Sequence, residues 1–174
     1  MMAIPSDEFL LAAFARGDGA AFDRLAARYS GALDGFFRRR LPDDGRVEEL
    51  RQETLLAIYA LLPSYREQGK FQTLVFSIAY RKLASAFRAD RPAAPLAETA
   101  HAGSTTPEAF EIRDAVRRLP EGLREALLLT RIEGLSASEA GEILGCSEDA
   151  VRARVCRARS QLARSLGTGS RRKR

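Results

Sequence analysis

Apolar residues recur three and four positions apart along almost the whole chain, and nowhere do they alternate as a half-buried strand requires. That periodicity restricts the chain to helices. It fails in one place. Residues 89–106, ADRPAAPLAETAHAGSTT, mix proline, glycine and small polar residues without an apolar repeat. Such a composition reads as a flexible linker. The expected fold is therefore all-α, with two helical domains: a bundle over 1–88, the linker 89–106, a second domain over 107–166, and a basic tail at 167–174.

Caps and breakers punctuate the first domain. Ser6 can cap a short helix, Asp7 and Glu8 suit its positive end, and Gly17 stops it. Asp18 can cap the next helix, where Phe22, Leu25, Ala26, Tyr29, Leu33, Phe36 and Phe37 keep helical spacing despite Gly31 and Gly35. A third helix is expected over 46–62, with Val47, Leu50, Thr54, Ile58 and Leu61 inward and Pro63 closing it. A fourth is expected over 71–88, apolar on two sides: Phe71, Leu74, Val75, Ile78 and Ala79 on one, Phe76, Tyr80, Leu83 and Phe87 on the other.

In the second domain Thr106 caps and Pro107 occupies the first helical position, ahead of Ala109, Ile112, Val116 and Leu119. After Pro120 a nearly apolar helix runs from Leu123 to Ile132 and ends at Gly134. Ser136-Ala137-Ser138-Glu139 is a capping box, and a short helix follows to Leu144. Gly145-Cys146-Ser147 makes a tight turn, and a longer helix carries the core stripe Val151, Val155, Ala158 and Leu162. Short helix, three-residue turn and second helix describe a helix-turn-helix. Glu148, Asp149, Arg152, Ala153 and Cys156 fall off the core stripe, near the end of the helix that enters a major groove in such motifs. The same pattern fits a plain helical hairpin.

Charge separates these readings. Residues 150–174 hold Arg152, Arg154, Arg157, Arg159, Arg164, Arg171, Arg172, Lys173 and Arg174 and no acid. A concentrated positive field suits a polyanion, so duplex DNA is the favoured ligand. Enzyme chemistry has little to work with. The single histidine, His101, has no nucleophile partner, and there is no carboxylate cluster, phosphate loop or ligand set for a metal; no cofactor is expected. Cys146 and Cys156 read as small apolar residues rather than a redox pair. No apolar stretch approaches the ~20 residues of a membrane helix, and the first ten residues lack the basic region of a signal peptide, so a cytoplasmic protein without direct membrane insertion is expected.

Two faces of the first domain carry residues that a core does not need. On the third helix, Glu49, Gln52, Glu53, Leu56 and Ala60 share a flank opposite the inward stripe. An outward leucine between acids fits protein docking, and equally a solvated flank with one stray leucine. On the fourth helix, Ser77, Arg81, Ser85 and Arg88 form a narrow polar strip next to the loop 64–70, which adds Tyr65, Arg66 and Lys70. Aromatic and basic groups together suit unpaired nucleotides, although Tyr65 can also be core.

The segments VEELRQETLLAIYALLPSYREQGKFQTLVFSIAYRKLASAFR and LPEGLREALLLTRIEGLSASEAGEILGCSEDAVRARVCRARSQL, in this order, resemble the extracytoplasmic-function sigma factors of bacterial RNA polymerase. The likeness runs from about Leu10 to Leu162. It implies sigma regions two and four joined by a linker. Glu49, Leu50, Gln52 and Glu53, with Leu56 beside them, match the segment that docks on the polymerase β′ clamp helices. Tyr65, Arg66, Lys70, Ser77, Arg81, Ser85 and Arg88 lie in the part that opens and reads the −10 element. Ser147, Glu148, Asp149, Arg152, Arg154, Arg157 and Arg159 match the −35 reader. The chain departs from the family at Glu49 (Asp in the family), Leu74 (Trp), Arg81 (Asn) and Ser85 (Asp). Arginine cannot accept a hydrogen bond and adds charge, so grip on the strand replaces base choice at position 81.

The resemblance implies a non-enzymatic specificity subunit whose partners are core RNA polymerase (β′ clamp helices and β flap), promoter DNA and an anti-sigma factor, with no small-molecule substrate. The other function class open to the sequence is a helix-turn-helix regulator that binds duplex DNA without polymerase, its first domain serving dimerisation or sensing.

Overall fold

A computed structural model describes residues 5–66, 69–89 and 106–170, and among these every regular element is helical. The chain divides into two compact units, within residues 1–100 and 101–174. Most of the expected linker 89–106 and the tail residues 171–174 lie outside the described residues.

The first unit contains α1 (Asp7–Ala15), α2 (Gly19–Arg38), α3 (Asp44–Leu61), a 3-10 turn (Leu62–Ser64) and α4 (Phe71–Ala89). Ser6 and Asp18 cap α1 and α2 with their side chains, and Gly17 between them has a φ of 95°, which costs glycine nothing. The Asp7 carboxylate ties α1 to α2, accepting hydrogen bonds from the Arg28 guanidinium and the Tyr29 hydroxyl. The core lies where α2, α3 and α4 meet: Leu25, Leu33, Phe36, Phe37, Val47 and Val75 are at most 1% exposed. Phe36 and Phe76 pack with ring centres 5.7 Å apart. Arg40, although charged, is buried; its guanidinium stacks 3.8 Å over the Phe36 ring and donates to the Phe36 carbonyl at 2.8 Å.

The second unit contains α5 (Pro107–Arg117), α6 (Glu121–Arg131), α7 (Ala137–Leu144) and α8 (Glu148–Ser170). Helices α5, α6 and α7 all pack on α8. Between α5, α6 and α8 the core is Leu119, Leu127 and Ala158, with Val116, Leu123, Val155 and Leu162 beside them.

Several expectations need correction. Helix α3 starts at Asp44, not at residue 46, because Asp43 caps it and accepts from the amides of Gly45 and Arg46 at 3.1 and 3.2 Å. The 3-10 turn at its other end shifts the register, so Leu62 is buried and Leu61, expected inward, is 39% exposed. In the last turn of α4, Ala86 takes the buried position and Phe87 stays exposed. Ile112 is also exposed, since α5 has no fully buried residue and only its C-terminal part reaches the core. Helix α6 is less apolar inside than its sequence reads, because Glu125 and the following Glu133 are buried.

Candidate functional sites

The flank of α3 is an exposed stripe built on a buried one. Val47, Leu50, Thr54 and Ile58 face the core, and on the other side Leu56 is 68% exposed. Leu50 must therefore be removed from the expected docking residues; at 2% exposure it supports the flank from beneath. Glu49 pairs with Arg46 at 2.6 Å, and Gln52 donates to Glu48 at 3.1 Å. Glu53 is held by Lys82 of α4 at 3.0 Å. Sequence reasoning missed Tyr59 on this helix. Half-exposed, its ring packs edge-on against Phe22 and Phe14, with centres 4.9 and 5.7 Å away. The resulting surface is an apolar patch of Leu56 and Tyr59 with acids alongside.

On α4, Arg81, Ser85 and Arg88 are exposed and Ser77 is half-buried. The Arg81 side chain lies back along the helix, its Nε donating to the Ser77 carbonyl at 3.3 Å. Arg66 and Lys70 are exposed beside this helix. Of the two readings open for Tyr65, stacking platform or core, the ring's position fits the packed one. Its ring is half-buried and meets Phe71 edge-on at 5.8 Å, and Phe71 meets Tyr29 at 5.6 Å. Aromatic packing thus holds the loop side of α4 against α2.

The helix-turn-helix is built by local chemistry. Ser136 accepts from the Glu139 amide at 3.2 Å, and the Glu139 carboxylate accepts from the Ser136 amide at 2.8 Å. At the other end of α7, Gly145 adopts φ 64°, ψ 39°. Gly141 is as important and gave no sign in the sequence: a Cβ there would stand 2.6 Å from the Cys146 carbonyl oxygen. The Ser147 hydroxyl accepts from the Ala150 amide at 3.2 Å and starts α8. Ser147, expected among the −35 readers, is therefore a helix cap in the structure.

Along α8 the core stripe Val151, Val155, Ala158 and Leu162 is followed, one residue later at each step, by Arg152, Cys156, Arg159 and Ala163. This second stripe lines a groove of about 730 Å³ whose opposite wall includes Thr130 and Arg131 of α6. Arg152 also pairs with Glu148 one turn earlier, and Asp149 is exposed. Arg157 points to the other flank of α8, with its Nε donating to the Ala153 carbonyl at 3.3 Å. Arg154 turns away from the exposed face. Its Nη1 donates to the Cys146 sulfur at 3.4 Å, and its guanidinium lies 4.0 Å from where a Gly122 Cβ would stand. The expected reading residues thus divide three ways: Arg152 and Arg159 in the groove, Arg157 on the far flank, Arg154 bracing the turn. Arg131, the cation facing them, was not among them. Among the described residues no His, Cys, Asp and Glu cluster could hold a metal, and no helix is long and apolar enough to cross a membrane.

Comparison with known proteins locates the two units in one family. Residues 25–92 match the Sigma-70 region 2 family and residues 109–162 match Sigma-70, region 4. The ECF RNA polymerase sigma factor ShbA of Streptomyces griseus is 36% identical over 142 residues, which cover 71% of this chain and 74% of that protein. The RNA polymerase sigma-H factor of Pseudomonas aeruginosa is 29% identical over 186 residues, covering 95% and 96% of the two chains. Among solved structures, CnrH in complex with the cytosolic domain of CnrY is similar over 93% of this chain and 97% of that one, with a TM-score of 0.71 and 30% identity. With both regions in the family order, the chain belongs to the ECF family of RNA polymerase sigma factors.

Proposed function

We propose that this ECF sigma factor docks on core RNA polymerase through the α3 flank and directs it to promoters by holding DNA with α4 and α8. The observation that carries the reading is the pairing of two surfaces on one chain: an acidic flank with exposed Leu56 and Tyr59 in the first unit, and an arginine-lined helix-turn-helix in the second. Glu49, Gln52, Glu53 and Leu56 meet the β′ clamp helices, with Tyr59 extending the apolar part. The second unit rests near the β flap and reads the −35 element with α8. Arg66, Lys70, Arg81, Ser85 and Arg88 hold the opened −10 strand.

The protein performs no reaction of its own; polymerase supplies the chemistry, and sigma supplies recognition and strand separation in the cytoplasm. Its other partner is an anti-sigma factor. The similarity to CnrH, which was solved with a second protein bound, supports a protein partner of this kind. A run-off assay with core polymerase, genomic DNA fragments and the purified chain tests the reading. New transcript starts that depend on the added chain are expected. DNA binding without any new start would instead favour a regulator that works without polymerase docking.

A further inference from the structure

We infer that Arg131, at the end of α6, is a DNA-backbone contact that forms the second wall of the duplex-reading surface. The inference rests on the proposal that α8 reads the upstream element. Arg131, Arg152 and Arg159 line one groove whose floor includes Leu135, Val151 and Val155. Arg152 is paired with Glu148. Arg131 and Arg159 have neither a hydrogen bond nor an ion pair through their side chains among the described residues. Two guanidinium groups facing a shared space repel each other unless an anion lies between them.

The floor says more about that anion. A small hydrated ion has no use for valine and leucine. A sugar–phosphate strand does, because each phosphate is joined to a deoxyribose with an apolar carbon face. Guanidinium is also the side chain whose fork of donors matches phosphate oxygens. An acidic amphipathic peptide has a related chemistry, but the groove is lined by Arg152 and Cys156 in the first half of α8. That is the part of a recognition helix that enters the duplex, so the flanking strand passes where Arg131 stands.

The test uses the full chain and a random-sequence DNA duplex, since a phosphate contact carries no sequence information. Binding is followed by fluorescence anisotropy over a potassium chloride series. Arg131→Ala should flatten the dependence of log K on log salt by about 0.9, the loss of one phosphate contact. Arg131→Lys should keep most of the slope. Arg113→Ala removes the same charge from an exposed position on α5 outside the groove and should keep the parental slope. A parent chain without salt-dependent duplex binding would overturn the upstream-element reading and this inference with it. A parent that binds, with Arg131→Ala at full slope, would overturn this inference alone. If that variant also lost core polymerase, the groove would be a protein-docking site.

Discussion

The ammonium of Lys82 lies 3.0 Å from a carboxylate oxygen of Glu53, joining α4 to the flank of α3 across 29 residues of sequence. Both side chains are part-exposed, so the pair contributes only ~0.2–1 kcal/mol. Reversing Glu53 to Arg places like charges together and should lower the melting temperature slightly, in addition to weakening polymerase binding. The exchanged pair Glu53→Arg with Lys82→Glu should recover the melting temperature but not the binding. Thermal melts and core-polymerase retention separate the two effects. Recovery of both by the exchanged pair would make Glu53 a structural residue only.

Gly141 predicts a sharper loss. The atom that a Cβ would strike at 2.6 Å is the backbone oxygen of Cys146, which cannot swing aside as a side chain can. Gly141→Ala should cost ~1–3 kcal/mol and loosen the turn that sets α8 on α7. Gly122→Ala is the contrasting case. Its nearest neighbours are flexible Arg154 atoms at 4.0 Å, and removing a glycine from a helix gains up to ~1 kcal/mol. Denaturant titration of both variants should give opposite signs.

Alkaline stability should depend on Tyr29. Burial, and then the hydrogen bond to Asp7, push the Tyr29 phenol well above the ordinary value of 10.0. The folded state therefore holds the neutral phenol while the unfolded chain ionises near pH 10. This stabilisation is fully present below about pH 10 and is lost as pH rises beyond it, by at most ~1.4 kcal/mol per pH unit. Tyr29→Phe should be the less stable protein at pH 8, and the gap should shrink by pH 11. A gap of constant size would show that the Tyr29 phenol ionises alike in the folded and unfolded states.

Arg81 should act at strand opening. Its side chain is exposed on α4 between half-buried Ser77 and exposed Ser85. Arg81→Ala should slow the appearance of permanganate-reactive thymines on a linear promoter and have much less effect on a template with a pre-melted bubble. Normal rates on the linear template would leave the strip as a solvated face.

Much of the fold was legible because it is written locally. The Ser6, Asp18 and Thr106 caps and the Ser136–Glu139 box each act within three residues, so their spacing alone announces them. The misreadings came from geometry that spacing does not encode. Leu61 and Leu62 exchanged places because a tighter turn changed the rotation per residue. Leu50 matched a docking motif and a core stripe together, and burial decided for the core. Arg154 belongs to the same basic run as Arg152 and Arg157, yet a step of about 100° per residue along the helix turns it toward Cys146. Tyr59, Arg131 and the Glu53–Lys82 pair depend on which helix faces which, a relation that exists only after packing.

The one-residue offset on α8 has an evolutionary consequence. Arg152, Cys156, Arg159 and Ala163 each follow a core residue directly. Any of them can be exchanged without disturbing the interior, so under the proposed reading role of α8 sequence preference can drift by point substitution. A single-codon insertion or deletion in this stretch cannot be absorbed that way. It would rotate arginines into the apolar interface with α6 and turn the valines out of it. Relatives that descend from this chain can therefore change what α8 says, while its length and phase from Val151 to Leu162 stay fixed.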